Sequence, residues 1–142
     1  MPIRVLFAAM ALLVACEQPT AAEPAPAGDP APAPAAQGHR SDIALEDFAA
    51  KHAAGVRLID VRTPQEYAAG HVPGAVLVPL DALDPAQPPL SEYPKDEELY
   101  VICQTGRRSS TAADRLAEAG YTTVNVKGGT SAWLAGGHPV ER

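Results

Sequence analysis

Leu99-Tyr100-Val101-Ile102-Cys103-Gln104-Thr105-Gly106-Arg107-Arg108-Ser109 is the stretch that decides the fold. Its first four residues are apolar and read as a strand buried on both faces. Beyond it, Ala112, Ala113, Leu116 and Ala117 mark the inner face of an amphipathic helix over residues 109–119, stopped by Gly120. A loop that leaves the carboxyl end of a parallel strand and enters a helix is where α/β folds place their sites. Six residues here suffice to curl the backbone so that successive N–H groups point inward, with Gly106 free to take a positive φ. A negative group at the centre of such a nest is stabilised, and the helix dipole adds to the effect. For Cys103 this means a depressed pKa and a reactive thiolate, helped by Arg107 and Arg108. The competing reading is an inert buried Cys at a strand end, which neither explains the arginine pair nor the cap position.

Working outward, the chain alternates helices and strands. Residues 45–54 form a short helix with Leu45, Phe48, Ala49 and Ala53 on one face, stopped by Gly55. Residues 56–59 are a buried strand ending at Asp60. Thr63, Pro64 and Glu66 fit a capping box with Pro at the first helical position, so a short helix starts there and ends at Gly70. Residues 75–78 form another strand, and residues 80–94, with four prolines, read as a loop or surface excursion. Residues 123–126 are a last strand and residues 130–135 a final helical turn. Helices between strands predict an α/β domain with a mostly parallel central sheet flanked on both faces.

The amino-terminal part reads differently. Arg4 precedes eleven uncharged, mostly apolar residues, 5–15, too few to cross a bilayer but suited to the core of a secretory signal. Leu13-Val14-Ala15-Cys16 is similar to the lipobox of bacterial lipoproteins, with residues 1–15 as signal and Cys16 as the lipidated residue. The alternative is an ordinary signal cut near Ala21-Ala22. Both readings export the protein, to a bacterial periplasm or cell surface, and the first anchors it to the membrane by lipid. Glu17 leaves the choice of inner or outer membrane open. Residues 16–40 read as a linker. In residues 17–39, 14 of 23 are Pro or Ala and none is aromatic, a composition that favours extended chain and spans up to about 70 Å. The folded domain is expected over residues 41–142, with nothing catalytic before Ser41.

A chain of 142 residues with 11 Lys and Arg against 17 Asp and Glu carries a formal charge of −6 and holds one such domain. The acidic balance speaks against nucleic-acid binding. The four His of the chain and the one Cys of the domain show no metal-ligand spacing. With Cys103 alone, a dithiol redox function lacks its resolving partner.

In order along the chain, three stretches resemble the rhodanese family of sulfurtransferases. They are Asp60-Val61-Arg62-Thr63-Pro64-Gln65-Glu66-Tyr67 through Gly70-His71-Val72-Pro73-Gly74-Ala75, then Cys103 to Ser109, and finally Gly120-Tyr121, Val124, Val126 and Gly128-Gly129 to Trp133. The resemblance implies a single rhodanese-like domain in which Cys103 accepts a sulfane sulfur from a donor such as thiosulfate and passes it to cyanide or a thiol. Gln104, Thr105, Gly106, Arg107, Arg108 and Ser109 would bind the small anionic substrate, chiefly through backbone N–H groups. No metal or organic cofactor is implied, and a sulfur-accepting protein is a further partner the family allows. Phosphatases and arsenate reductases of this fold place one residue more between Cys and Arg. Here Cys103 to Arg108 is the shorter, sulfur-sized loop, although either adjacent arginine can face the pocket. Members specific for mercaptopyruvate resemble C-G-x-G-V-T, from which Gln104, Arg107 and Arg108 depart.

The other family positions have structural readings. Asp60 and Arg62 are expected as a buried ion pair bracing the loop, His71 as a hydrogen-bonded turn residue, Trp133 as core, and Gly128-Gly129 as a tight turn. A non-catalytic persulfide carrier or membrane-tethered interaction module is the alternative function. An apolar surface near residues 80–93 would be its mark.

Overall fold

A computed structural model describes residues 38–142. The expected signal, the lipidation site Cys16 and most of the linker lie outside the described residues. Five parallel strands form one sheet in the order β1-β5-β4-β2-β3. They are β1 (Arg40–Ile43), β2 (Arg57–Asp60), β3 (Val76–Leu77), β4 (Glu98–Ile102) and β5 (Thr122–Val126), interleaved with α1 (Leu45–Ala53), α2 (Pro64–Ala69), α3 (Arg107–Glu118) and α4 (Gly129–Ala135). This is the two-sided α/β architecture that the alternation of elements predicts.

Alternation along β4 divides the core in two. Leu99 and Val101 face one layer with Ile59, Val61, Ala112, Ala113, Leu116 and Tyr121. Tyr100 and Ile102 face the other, with Phe48, Leu58, Val124, Val126 and Trp133. Both faces of the central strand are therefore dry, as a parallel sheet requires. Cys103 continues the alternation on the α3 side and is fully buried.

The element boundaries differ from expectation where tertiary contacts override local pattern. Strand β1 has no apolar periodicity. It exists because its backbone pairs with β5, Arg40 with Thr123 through Ile43 with Val126. Arg40, assigned by composition to the linker, is its first residue, and the Gly38 N–H already donates to Ala117 O at 3.0 Å. In α1, Ala53 is exposed, and His52 packs inward instead against Phe48 and Trp133, with Nε2 2.7 Å from Pro73 O. Helix α3 begins at Arg107, two residues earlier than the apolar spacing suggests, because Gly106 turns the chain at φ 94° and serves as its cap.

The proline-rich segment between β3 and β4 is no detached surface excursion. It forms two 3-10 turns, Leu80–Ala82 and Leu90–Glu92, and Leu90 is buried in the α3-side core. The Tyr121 hydroxyl pins the segment by donating to Leu90 O at 2.7 Å. Leu90→Ala should therefore behave as a core truncation and cost about 2–5 kcal/mol in urea unfolding. A surface residue would stay within about 0.5 kcal/mol.

Candidate active site

The loop from Cys103 to Gly106 leaves the central strand beside the point where strand order reverses. Its backbone curls around the sulfur. Gly106 N–H donates to Cys103 Sγ at 3.1 Å, and Ser109 Oγ lies 3.3 Å from the same atom. Burial pushes the Cys103 thiol up. Hydrogen bonds from the Ser109 hydroxyl and from the N–H groups of Ser109, Thr105 and Gly106 outweigh that cost and leave it below the usual thiol range.

An N–H ring of this kind requires the carbonyls of the same loop to point away, and α4 holds them there. Thr130 N–H donates to Cys103 O at 2.8 Å and Ser131 N–H to Gln104 O at 3.0 Å. The approach is so close that a Cβ on Gly129, at φ +57°, would lie 2.2 Å from Cys103 O. Gly129 is thus needed less for its turn than for the contact it permits.

Two ion pairs fix the walls. Asp60 takes three guanidinium contacts from Arg62, the shortest 2.7 Å from Nη2, and both side chains are almost fully buried. Arg62 also donates to Gly70 O at 2.8 Å and to Gln104 Oε1 at 3.2 Å. The other end of the Gln104 amide donates to Ser131 Oγ at 2.8 Å. The Gln104 side chain is therefore a strut between Arg62 and α4. Arg108 forks onto Glu66 at 2.8 and 2.6 Å, while Arg107 is exposed.

This geometry distinguishes the two arginines that sequence leaves equivalent. Basic residues in the first turn oppose the helix dipole, and α3 has no acidic residue there. Glu66 supplies the missing negative charge from α2, where it also closes the capping box with Thr63. Arg108 is raised above the usual arginine range chiefly by Glu66, with Cys103 and Asp60 adding. Beside Arg108 opens a cleft of about 430 Å³ whose walls include Thr63, Leu80, Asp81 and Arg115. Thr105 is exposed at the loop's rim.

The remaining residues singled out by sequence are structural. His71 stacks on Tyr67 at 3.7 Å and sets Nδ1 3.1 Å from Tyr67 O, while its backbone pairs with Glu141. Trp133 is buried, with Nε1 donating to Pro139 O at 2.8 Å. Sequence reasoning missed Asn125, which accepts from the Ser109 hydroxyl at 2.7 Å, because a polar residue in a short apolar strand carries no local signal. It also missed the second use of Glu66.

The rhodanese-like domain family matches residues 44–136. The chain belongs to that family. A sulfurtransferase of Allochromatium vinosum is 40% identical over 86 residues, covering 60% of this chain and 78% of its own length. Thiosulfate sulfurtransferase 16 of the Arabidopsis thaliana chloroplast is 37% identical over 101 residues, covering 62% of this chain and 82% of its own. The crystal structure of a rhodanese-related protein from Thermoplasma volcanium superposes with a TM-score of 0.61 at 27% identity, covering 71% of this chain and 97% of that one.

Arg108 holds Glu66 down to about 2, from an ordinary value of 4.5. A carboxylate whose pKa is depressed on folding stabilises the fold above its unfolded value and loses that contribution as pH falls toward the folded one. Stability should therefore decline between about pH 4.5 and pH 2. Glu66→Gln, which keeps the capping box, should flatten this decline in a pH series of thermal melts. With each partner about one-third exposed, the difference should stay at roughly 1 kcal/mol or less.

Proposed function

We propose that this rhodanese-like protein is a sulfurtransferase that carries sulfane sulfur on Cys103, taken from thiosulfate or a similar anionic donor. The observation that carries this reading is a fully buried thiol, lowered in pKa, with loop N–H groups converging on its sulfur. The Cys103 thiolate attacks the outer sulfur of the donor. A new S–S bond forms, the donor's S–S bond breaks, and its electron pair leaves with sulfite. The negative charge then sits on the outer sulfur of the Cys103 persulfide, within reach of the same N–H ring. Cyanide or a thiolate attacks that sulfur next, and the bonding pair returns to Cys103. No proton is transferred and no oxidant is required.

Arg108 serves this chemistry by its charge near the loop mouth, while its forked bond to Glu66 keeps it from closing over a tetrahedral oxyanion. Sulfur transfer is thereby favoured over phosphoryl chemistry in the same loop. The name thiosulfate sulfurtransferase carried by the Arabidopsis relative supports the donor.

Incubation with thiosulfate should add one sulfur atom to the intact mass, and cyanide should remove it as thiocyanate. Cys103→Ser should show neither step. Uptake should rise with pH with a midpoint below the ordinary thiol value of 9.0, because the folded thiol is lowered from it. A persulfide that forms but turns over poorly with cyanide and small thiols would identify a carrier for a partner enzyme. No mass gain from any sulfane donor would overturn the reading.

Residues 1–15 are read as a lipoprotein-type signal and Cys16 as the anchor, on the sequence features alone. Expressed in a bacterial host, the full chain should incorporate labelled palmitate and sediment with membranes. Cys16→Ser should lose both.

A further inference from the structure

We propose that Asp42 and Asn125 are positioning residues that control whether the Ser109 hydroxyl gives its hydrogen to Cys103. The four side chains make a row on the α3 side of the sheet, from edge strand β1 through β5 to the end of β4. Asp42 and Asn125 are register partners. Asn125 Nδ2 donates to Asp42 Oδ1 at 2.8 Å, Ser109 Oγ lies 2.7 Å from Asn125 Oδ1, and Cys103 Sγ lies 3.3 Å from Ser109 Oγ. Asn125 is 4% exposed and Ser109 fully buried.

The argument is one of counting hydrogens. A carboxylate only accepts, so the amide must turn its NH₂ toward Asp42 and its oxygen toward Ser109. Ser109 Oγ then has one hydrogen and two acceptors in reach, the amide oxygen and the sulfur. The shorter contact is to the amide. While Cys103 is a thiol, the hydrogen rests on Asn125 and Ser109 offers the sulfur only lone pairs. When Cys103 ionises, the hydroxyl turns to the thiolate and the buried amide oxygen loses its donor, which is unfavourable. Asp42 therefore withholds part of the stabilisation the nest offers and keeps the thiolate more basic than the loop alone would make it. A more basic thiolate is the better nucleophile. Once the charge has moved to the outer sulfur of a persulfide, the hydrogen can return to Asn125.

Asp42 suits this task because it stays ionised. Its bond from Asn125 holds it below the usual carboxylate range against the cost of burial, and the charges of Arg40 and Lys127 add to this. Arg40 in turn reaches Asp114 and Ser110 of α3. The charged groups on the sulfur's other sides, Asp60, Arg62, Glu66 and Arg108, are already paired with one another. The inference rests on the proposed sulfur-carrying role of Cys103 for its use in catalysis. Its test needs no sulfur donor, so the two can fail separately.

The Cys103 pKa is measured in the full chain, by thiolate absorbance and by the pH dependence of alkylation, with Cys16→Ser as the common background. Asp42→Ala frees the amide to present its NH₂ to Ser109, releasing the hydroxyl hydrogen to sulfur, so the pKa should fall by about one unit. Asp42→Asn removes the same charge but leaves an amide that can still accept from Asn125 in one of its two orientations, and should lower the pKa by less than Asp42→Ala. In a Ser109→Ala background, Asp42→Ala should have no effect. Equal shifts in Asp42→Ala and Asp42→Asn would reveal a simple charge effect and overturn the proposal. So would an unshifted pKa in Asp42→Ala, or a shift that persists without the Ser109 hydroxyl.

Discussion

A sulfur anion enclosed by protein has lost its water and must be solvated by the chain itself. Everything near Cys103 follows from that constraint. Burial alone raises a thiol's pKa, so the loop must return enough hydrogen-bond donation to reverse the sign. Backbone N–H groups are suited to this because they are fixed in number, uncharged and unable to exchange partners with solvent once the loop is set. Their cost appears elsewhere. Each inward N–H leaves an outward carbonyl, and α4 exists at its observed distance to receive two of them. Gly129 is the residue that lets the backbones approach, which makes a glycine remote in sequence a condition for the thiolate.

The same constraint explains why the arginines do not carry the site. A guanidinium pointed at the sulfur would lower its pKa further and would also trap the product anion. Instead, Arg62 is locked on Asp60 and Arg108 on Glu66, and each pair holds a wall in place. The buried Asp60–Arg62 pair is more a matter of position than of net stability, since desolvation offsets much of its attraction. Its donors reach Gly70 O and Gln104 Oε1, so one guanidinium ties the turn after α2 to the active loop.

The parts of this that sequence displays are those written in short-range pattern. The run 99–102 announces a central strand, Thr63 and Glu66 announce a cap, and Gly106 announces a turn with positive φ, all observed. What sequence conceals depends on partners distant along the chain. Strand β1 is polar at three of four positions and is a strand only because β5 lies beside it. Leu90 hides among prolines that look like loop, yet fills the core under Tyr121. Arg107 and Arg108 are indistinguishable by pattern, and α2 alone separates them by offering Glu66 to one.

Edge strand β1 illustrates how a nominally peripheral element becomes part of the site. Its backbone caps the sheet, a task any extended chain could perform. Its Asp42 side chain, however, is the one fixed acceptor at the start of a path whose other members are neutral and can reverse direction. An amide and a hydroxyl each have two workable orientations, and only a group with a single hydrogen-bonding sense can decide between them. A carboxylate at the solvent edge provides that sense without adding a desolvated charge beside the sulfur. The orientation of a buried hydroxyl beside Cys103 is thereby set from the surface.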